Sequence, residues 1–285
     1  MKSEVVTNTY GIEFPPRYEI RRLSPEIGLW LHDFSRYVVI IETPLFGPIY
    51  KNRHPCRKLL TAKNLERPTL THALESGLSY GLFDKEYQWK RPESAATGGA
   101  VYWDEIDPED PDLEVAGPQR LLDAMDFPLA ALSLSHDKTH VQSAEAIAAD
   151  IAFLPEYADF GVIKKPASKP QDEEETTKDL IKPGEVLMRC GTTTKRDYGG
   201  QGLMKLMACF VTRDAHARGF KRIEVPIINE AVVKIYLNPP PPFTAELTQV
   251  VNVRDGEVER DGKMIKPFAE SITKRYCHIT VYLAS

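Results

Sequence analysis

The sequence predicts an α/β fold in which strands and helices follow one another closely, and three observations carry that expectation. Residues 185–194 begin apolar and end in Thr192, Thr193 and Thr194, as a half-buried strand does. After a turn at residues 196–202, the residues Leu203, Leu206, Met207, Phe210, Val211 and Ala215 recur at threes and fours. This lays one apolar stripe along a helix, which Ala217-Arg218-Gly219 then stops. Residues 220–228 alternate as a second strand, and Asn229 opens a short helix that reaches Tyr236, because an Asn side chain can accept from a free N–H of the first turn.

The turn between the first strand and the long helix carries the chemistry. A strand that passes through glycines into a helix start presents unpaired backbone N–H groups and the positive end of the helix dipole, which together suit an anion. Gly199, Gly200 and Gly202 lack a Cβ, so a pyrophosphate could approach the backbone, and glycine tolerates the positive φ such a turn needs. No Gly-Lys-Ser/Thr follows, so this is not a Walker loop. Nor is it a dinucleotide fingerprint, since G-x-G-x-x-G is absent and no acidic residue ends the next strand. A glycine turn before a helix can be purely structural, so the turn alone leaves both roles open.

The order of the neighbouring residues narrows the choice. Tyr198-Gly199-Gly200-Gln201-Gly202-Leu203-Met204, then Arg218-Gly219-Phe220, then Asn229 and Tyr236 resemble the GNAT superfamily of N-acyltransferases. That family runs from a strand into Tyr-Arg-Gly-x-Gly-x-Gly/Ala, through a helix ending near Arg-Gly-Phe, and through a strand to Asn-x-x-Ala-x-x-x-Tyr. The resemblance covers residues 185–245, a coenzyme A-binding core. Gly199 stands where the family usually carries Arg or Gln, and Met204 where it carries Gly or Ala.

The resemblance implies a mixed, mostly antiparallel central sheet flanked by helices. It also implies an acetyl-CoA-dependent N-acyltransferase that moves an acetyl or other short acyl group to a primary amine by direct attack. Coenzyme A is then the co-substrate, with no metal, and the acceptor is a small-molecule amine or a peptide amino group. Tyr236 would be the general acid toward the coenzyme sulfur, on a helix held by Asn229. Thr192, Thr193 and Thr194 would pair by backbone with the pantetheine arm. The N–H groups of Gly199, Gly200, Gln201, Gly202, Leu203, Met204 and Lys205 would hold the pyrophosphate. A base is not assigned: Glu185 and Glu224 fall on strands near such a cleft, and His278 falls on the last strand. The alternative is a catalytically impaired GNAT-fold protein that binds coenzyme A or a partner.

Toward the N-terminus, residues 18–22 read as a first strand, with a helix start at Ser24-Pro25, and residues 38–42 as either a strand or a helix end. Residues 69–76 read as a helix, and residues 78–84 and 98–104 as the second and third strands. The fourth strand begins near Glu185, which leaves an insertion at about residues 105–184. Its Asp/Pro-rich opening leads into a helical stretch from about residue 118 to 160, marked by Leu121, Leu122, Met125, Leu129, Leu132, Ile147 and Ile151. The charged run at residues 164–178 closes it and is expected to be mobile. The insertion is a wall of the acceptor site, a cover for apolar surface or a homodimer contact. Residues 239–242, four prolines, form a stiff exit from the Tyr236 helix.

Composition excludes several classes. With 42% hydrophobic and 27% charged residues and a net charge of -5, the chain reads as a soluble protein without the basic field of a nucleic-acid binder, and the resemblance implies one acyltransferase domain over residues 1–285. Cys56, Cys190, Cys209 and Cys277 are far apart, with no C-x-x-C pair, which disfavours zinc and disulfides. Cys190 and Cys209 fall on faces expected to be buried. No apolar run suggests a leader or a membrane span, so a cytoplasmic setting is the default expectation.

Overall fold

The computed structural model describes residues 3–165 and 181–283. Its strands are β1 (Glu4–Val5), β2 (Tyr18–Arg22), β3 (Tyr80–Asp84), β4 (Ala100–Val101), β5 (Met125–Asp126), β6 (Leu129–Asp137), β7 (Val186–Thr194), β8 (Arg222–Ile227), β9 (Thr244–Asn252), β10 (Val258–Arg260), β11 (Lys263–Ile265) and β12 (Arg275–Tyr282). Its helices are α1 (Trp30–Tyr37), α2 (Gly47–Tyr50), α3 (Pro55–Thr61), α4 (Pro68–Glu75), α5 (Pro92–Thr97), α6 (Leu113–Asp123), α7 (Ala144–Phe153), α8 (Glu156–Ile163), α9 (Leu203–Ala217) and α10 (Glu230–Tyr236).

An eight-stranded sheet in the order β1-β2-β3-β6-β7-β8-β12-β9 divides the molecule. Its pairs are antiparallel except β7 with β8. Each face buries its own core. On the front face Leu132, Leu134 and Tyr276 pack under residues of α1–α4, α6 and α8. On the back face Leu187, Ile223, Val225 and Ile279 pack under α9 and the Tyr236 end of α10.

The stripe expected in α9 is the one that packs. Leu203, Met207, Phe210, Val211 and Ala215 are all buried, each contributing about 1.5–3 kcal/mol for the larger side chains. Gly219, at φ +90°, lets the Phe220 N–H return to the Ala215 carbonyl at 3.0 Å and so ends the helix. A shared carboxylate ties this helix to the sheet: Asp214 accepts from Tyr80 at 2.6 Å, from Tyr10 at 3.0 Å and from Arg218 at 2.7 Å.

The N-terminal half departs from the sequence reading at several places. Residues 98–104 are not the third strand: only Ala100–Val101 are extended, in a two-stranded pair with Met125–Asp126. The third long strand of the sheet, counted from Tyr18–Arg22, is Leu129–Asp137, inside the stretch expected to be helical. There Ala131, Ser133 and Ser135 alternate with Leu132, Leu134 and His136. Burial on both faces of a central strand blurs that period of two. A helical insertion between the third and fourth strands is present as α7 and α8, but it starts after Asp137, not near residue 105.

Residues 38–42 resolve as a helix end: Val38–Glu42 continues α1 as a π-helical turn. Most of the charged run at residues 164–178 lies outside the described residues. Cys190 is exposed and Cys209 half-buried, against the expectation of burial.

Candidate functional site

The parallel pairing of β7 with β8 lasts only three residues, Val186↔Arg222, Leu187↔Ile223 and Met188↔Glu224. Beyond Met188 the two strands part. β7 stays bonded to β6 through Thr192↔Ser133, Thr193↔Leu132 and Thr194↔Ala131, which leaves its β8-facing edge without a strand partner over residues 189–194. A fork with free backbone donors and acceptors along one arm is the result. Thr192, Thr193 and Thr194 lie on that arm, where the sequence reading put them.

A β-bulge shapes the arm. The register with β6 shifts between Leu134 and Ser135, so Cys190 is the extra residue on β7. The bulge breaks the alternation: Arg189 and Thr192, three positions apart, share the back face, and Cys190 is turned out of the packing. Although Cys190 is exposed, desolvation by its surroundings pushes the thiol up to about 11.

At the end of β7 the chain enters the glycine turn. Gly200 and Gly202 hold φ of +75° and +72°, and Gly202 is the N-cap of α9. A Cβ at either would meet open space, so backbone conformation requires these glycines and packing does not. No hydrogen bond among the described residues engages the N–H groups of Gly200, Gln201, Gly202, Leu203 or Met204. The turn therefore fits the pyrophosphate of a coenzyme, with donors at the positive end of a 15-residue helix. Tyr18 donates to Gln201 at 2.7 Å and Tyr198 to Asp84 at 2.9 Å, which anchors both sides of the turn. Met204 is half-buried against the back core. Two N–H groups that the sequence reading put on the pyrophosphate are used within the turn: Gly199 is bonded to the Arg196 carbonyl and Lys205 to the Gly202 carbonyl, each at 3.0 Å.

Asn229 caps α10, accepting from the Ala231 N–H at 3.0 Å. Its side chain acts on the helix that carries Tyr236. A narrow crevice between α9 and α10 is lined by Lys205, Cys209, Thr212, Tyr236 and Pro239. The Tyr236 side chain is 2% exposed, and its oxygen accepts from Arg189 Nε at 3.1 Å.

On the front face, at the root of the fork, lies a second polar group. Ile223 and Val225 face the back core, so Glu224 faces forward. Its carboxylate accepts from Lys138 at 2.6 Å and Arg222 at 3.2 Å, and His278 Nε2 stands 3.7 Å away. Burial pushes Glu224 up, but Lys138, His278 and Arg222 outweigh it and hold the carboxyl below its usual range. Burial, opposed by Glu224, holds the His278 imidazole low, so it is neutral at pH 7. Thr248 Oγ1 meets the His278 Nδ1 at 2.9 Å. Glu185, the third base candidate, is paired with Lys221 at 2.5 Å and is not part of this group.

Arg189, Ser133 and Ser135 were missed by the sequence reading. Their signal was faint: an arginine at an inward position of a strand, and serines alternating with leucines in a segment read as helix. A cavity of about 430 Å³ on the front side, lined by Ile49, Arg53, Glu156, Arg260 and Lys266, shares no residue with the fork or the turn. Among the described residues no cluster of His, Cys, Asp and Glu could hold a metal ion, and no helix is long and apolar enough to cross a membrane.

No family model matches the chain, and no curated protein matches it. Solved structures do. The arylalkylamine N-acetyltransferase 2 from Aedes aegypti is similar at a TM-score of 0.50 and 10% identity, over 94% of this chain and 99% of that one. The polyamine N acetyltransferase of Drosophila melanogaster follows at 0.46 and 9%, over 93% and 99%. Identities this low establish architecture alone. The forked, mostly antiparallel sheet with its flanking helices is the fold of the GNAT N-acetyltransferases.

Proposed function

We propose that the protein is an acyl-coenzyme A dependent N-acyltransferase that transfers an acetyl or other short acyl group to a primary amine. One observation carries the reading. The fork leaves one edge of β7 unpaired, beginning at Arg189, which bonds the Tyr236 hydroxyl, and running on toward a turn of free N–H groups. A pyrophosphate on Gly200 to Met204 and a pantetheine arm along Thr192 to Thr194 would bring a thioester to the root of the fork, beside Tyr236.

The reaction needs a deprotonated amine and a proton for the departing thiolate. Tyr236 stands on the back face and supplies the proton. Glu224 and His278 stand on the front face, both unprotonated at neutral pH, and are the groups for an incoming ammonium to lose its proton to. The amine therefore enters from the side of the N-terminal helices. The acceptor is a small amine or a peptide amino group; an arylalkylamine is what the mosquito protein's name states of that protein.

The second reading, a GNAT-fold protein that binds coenzyme A or a partner without turnover, is favoured by the buried Tyr236 and by Gly199 and Met204. Thermal shift with acetyl-CoA, against ATP and NAD as controls, tests binding, and release of free thiol with a panel of amines tests turnover. Stabilisation by acetyl-CoA with thiol release supports the enzyme. Stabilisation without release for any amine supports the second reading, and no stabilisation sinks the enzyme and leaves only the partner-binding form of the second.

A further inference from the structure

Arg189 is the anomaly of the back face. The residue is 2% exposed, yet no ion pair among the described residues includes it. It donates from Nε to Tyr236 at 3.1 Å, from Nη1 to Ser135 at 2.8 Å and also to Ser133, and from Nη2 to Thr192 at 2.6 Å. All four acceptors are neutral oxygens. Two other arginines of the interior have carboxylates: Arg67 meets Asp150 at 3.4 Å and Arg36 meets Asp33 at 3.9 Å.

A buried cation without a counter-charge is costly, and replacing it by an apolar side chain often leaves a protein as stable or more so. Packing alone therefore does not account for it. The bulge at Cys190 brings Thr192 onto the same face, and Ser133 and Ser135 are its direct neighbours on β6. Three hydroxyls hold the guanidinium in place, and the fourth contact is the proposed acid. Four contacts leave one of its five N–H groups unused.

We infer that Arg189 is a catalytic residue that stabilises negative charge at the root of the fork, on the coenzyme sulfur and on the Tyr236 oxygen. This rests on the proposed function. Because Arg189 donates to the Tyr236 oxygen, the tyrosine's own proton is directed away from the guanidinium. In the transfer, the amine nitrogen bonds to the thioester carbonyl carbon and the C–S bond breaks. The sulfur takes the Tyr236 proton, and the surplus proton on nitrogen passes to the Glu224 and His278 pair. The oxygen left on Tyr236 faces Arg189 until solvent reprotonates it, and the products are an amide and a free thiol.

The test uses the full chain and an equilibrium readout that needs no acceptor. Calorimetry compares coenzyme A with desulfo-coenzyme A, which lacks the sulfur, in wild type and Arg189→Met. A thiol ionises near about pH 8.5, so wild type should come to prefer coenzyme A by about tenfold between about pH 7 and about pH 9. Arg189→Met should bind desulfo-coenzyme A normally and show no such rise. Arg189→Lys, which keeps the charge, should retain part of it and serves if the Met variant does not fold. Two results overturn the inference and leave the enzyme reading standing: a flat wild-type preference, or a rise that survives in both variants. Failure of wild type to bind either ligand sinks the proposed function instead.

Discussion

The two faces of the sheet are built by different means. On the back face the coenzyme-binding part of the candidate site is made of backbone, with Arg189 and its hydroxyl partners the side-chain exception: free N–H groups at Gly200 to Met204, an unpaired strand edge over residues 189–194, and a seven-residue helix set by one capping side chain. On the front face it is made of side chains brought together across long separations. Arg67 of the α4 N-cap reaches Asp150 in α7, Ser35 in α1 and Tyr157 in α8, and Lys138 reaches Glu224. Backbone sites depend on local conformation, so they tolerate most changes of neighbouring side chain. Side-chain sites depend on how distant segments pack, and they fail with the packing.

The largest effect should come from a change that touches only chemistry on the back face. Tyr236→Phe removes one hydroxyl and keeps the ring, so α10 and acetyl-CoA affinity should persist while turnover falls ~10²–10⁴-fold, the usual worth of a placed general acid. Release of free thiol, measured after both proteins are shown to bind acetyl-CoA, checks this. A mutant as fast as wild type would leave the tyrosine a structural role only.

On the front face the comparison predicts the opposite pattern. Asp150 accepts from Arg67 and from the Thr69 hydroxyl, and it pins α7 to α4. Asp150→Ala leaves Arg67 without its carboxylate and should cost about 3 kcal/mol of stability, the lower end for breaking a buried pair. Urea denaturation measures that loss. Coenzyme A affinity of the folded fraction should be unchanged, and a parallel loss of affinity would mean that the faces are coupled.

The same contrast decides what the sequence could reveal. Gly200, Gly202, Gly219, Asn229 and the α9 stripe act over one or two turns, and the pattern of residues within that distance states their roles. The third strand was not legible. Leu129, Ala130, Ala131 and Leu132 are good helix formers, and what makes them a strand is the pairing of Ser133 with Tyr80 on one side and Thr192 on the other. Arg189 was invisible for the same reason, because its partners Ser133 and Ser135 lie on that misread strand. Glu224 and His278 were each noticed but not joined, since only the β8–β12 register, with His278 opposite Pro226, puts them side by side.

A third change sharpens the claim that the turn is a backbone site. Gly202 is held at φ +72° with open space where a Cβ would stand, so Gly202→Val creates no clash but forces a β-branched residue into a region it avoids. The strain is about 1–3 kcal/mol and reorients the N–H groups of the first turn of α9. Affinity for coenzyme A, measured by calorimetry, should drop by roughly tenfold or more for a relaxed turn. Unchanged affinity would place the coenzyme away from this turn.

The smallest effect tests whether α10 depends on its cap. The helix spans only Glu230–Tyr236, too short to be stable alone, and Asn229 satisfies the Ala231 N–H at its start. Asn229→Ala should cost about 1 kcal/mol, most of it local, because the strands beside it keep their register. Amide exchange should therefore quicken across residues 230–236 while β8 and β12 stay protected. Turnover should fall by less than in Tyr236→Phe, since the hydroxyl remains and only its time in position against Arg189 shrinks. Asn229→Asp can accept the same bond and should restore both protection and rate. If instead Asn229→Ala abolishes acetyl-CoA binding with α10 still protected, the Asn229 side chain acts on the ligand itself, and the division between a backbone-built face and a side-chain-built face breaks down at this residue.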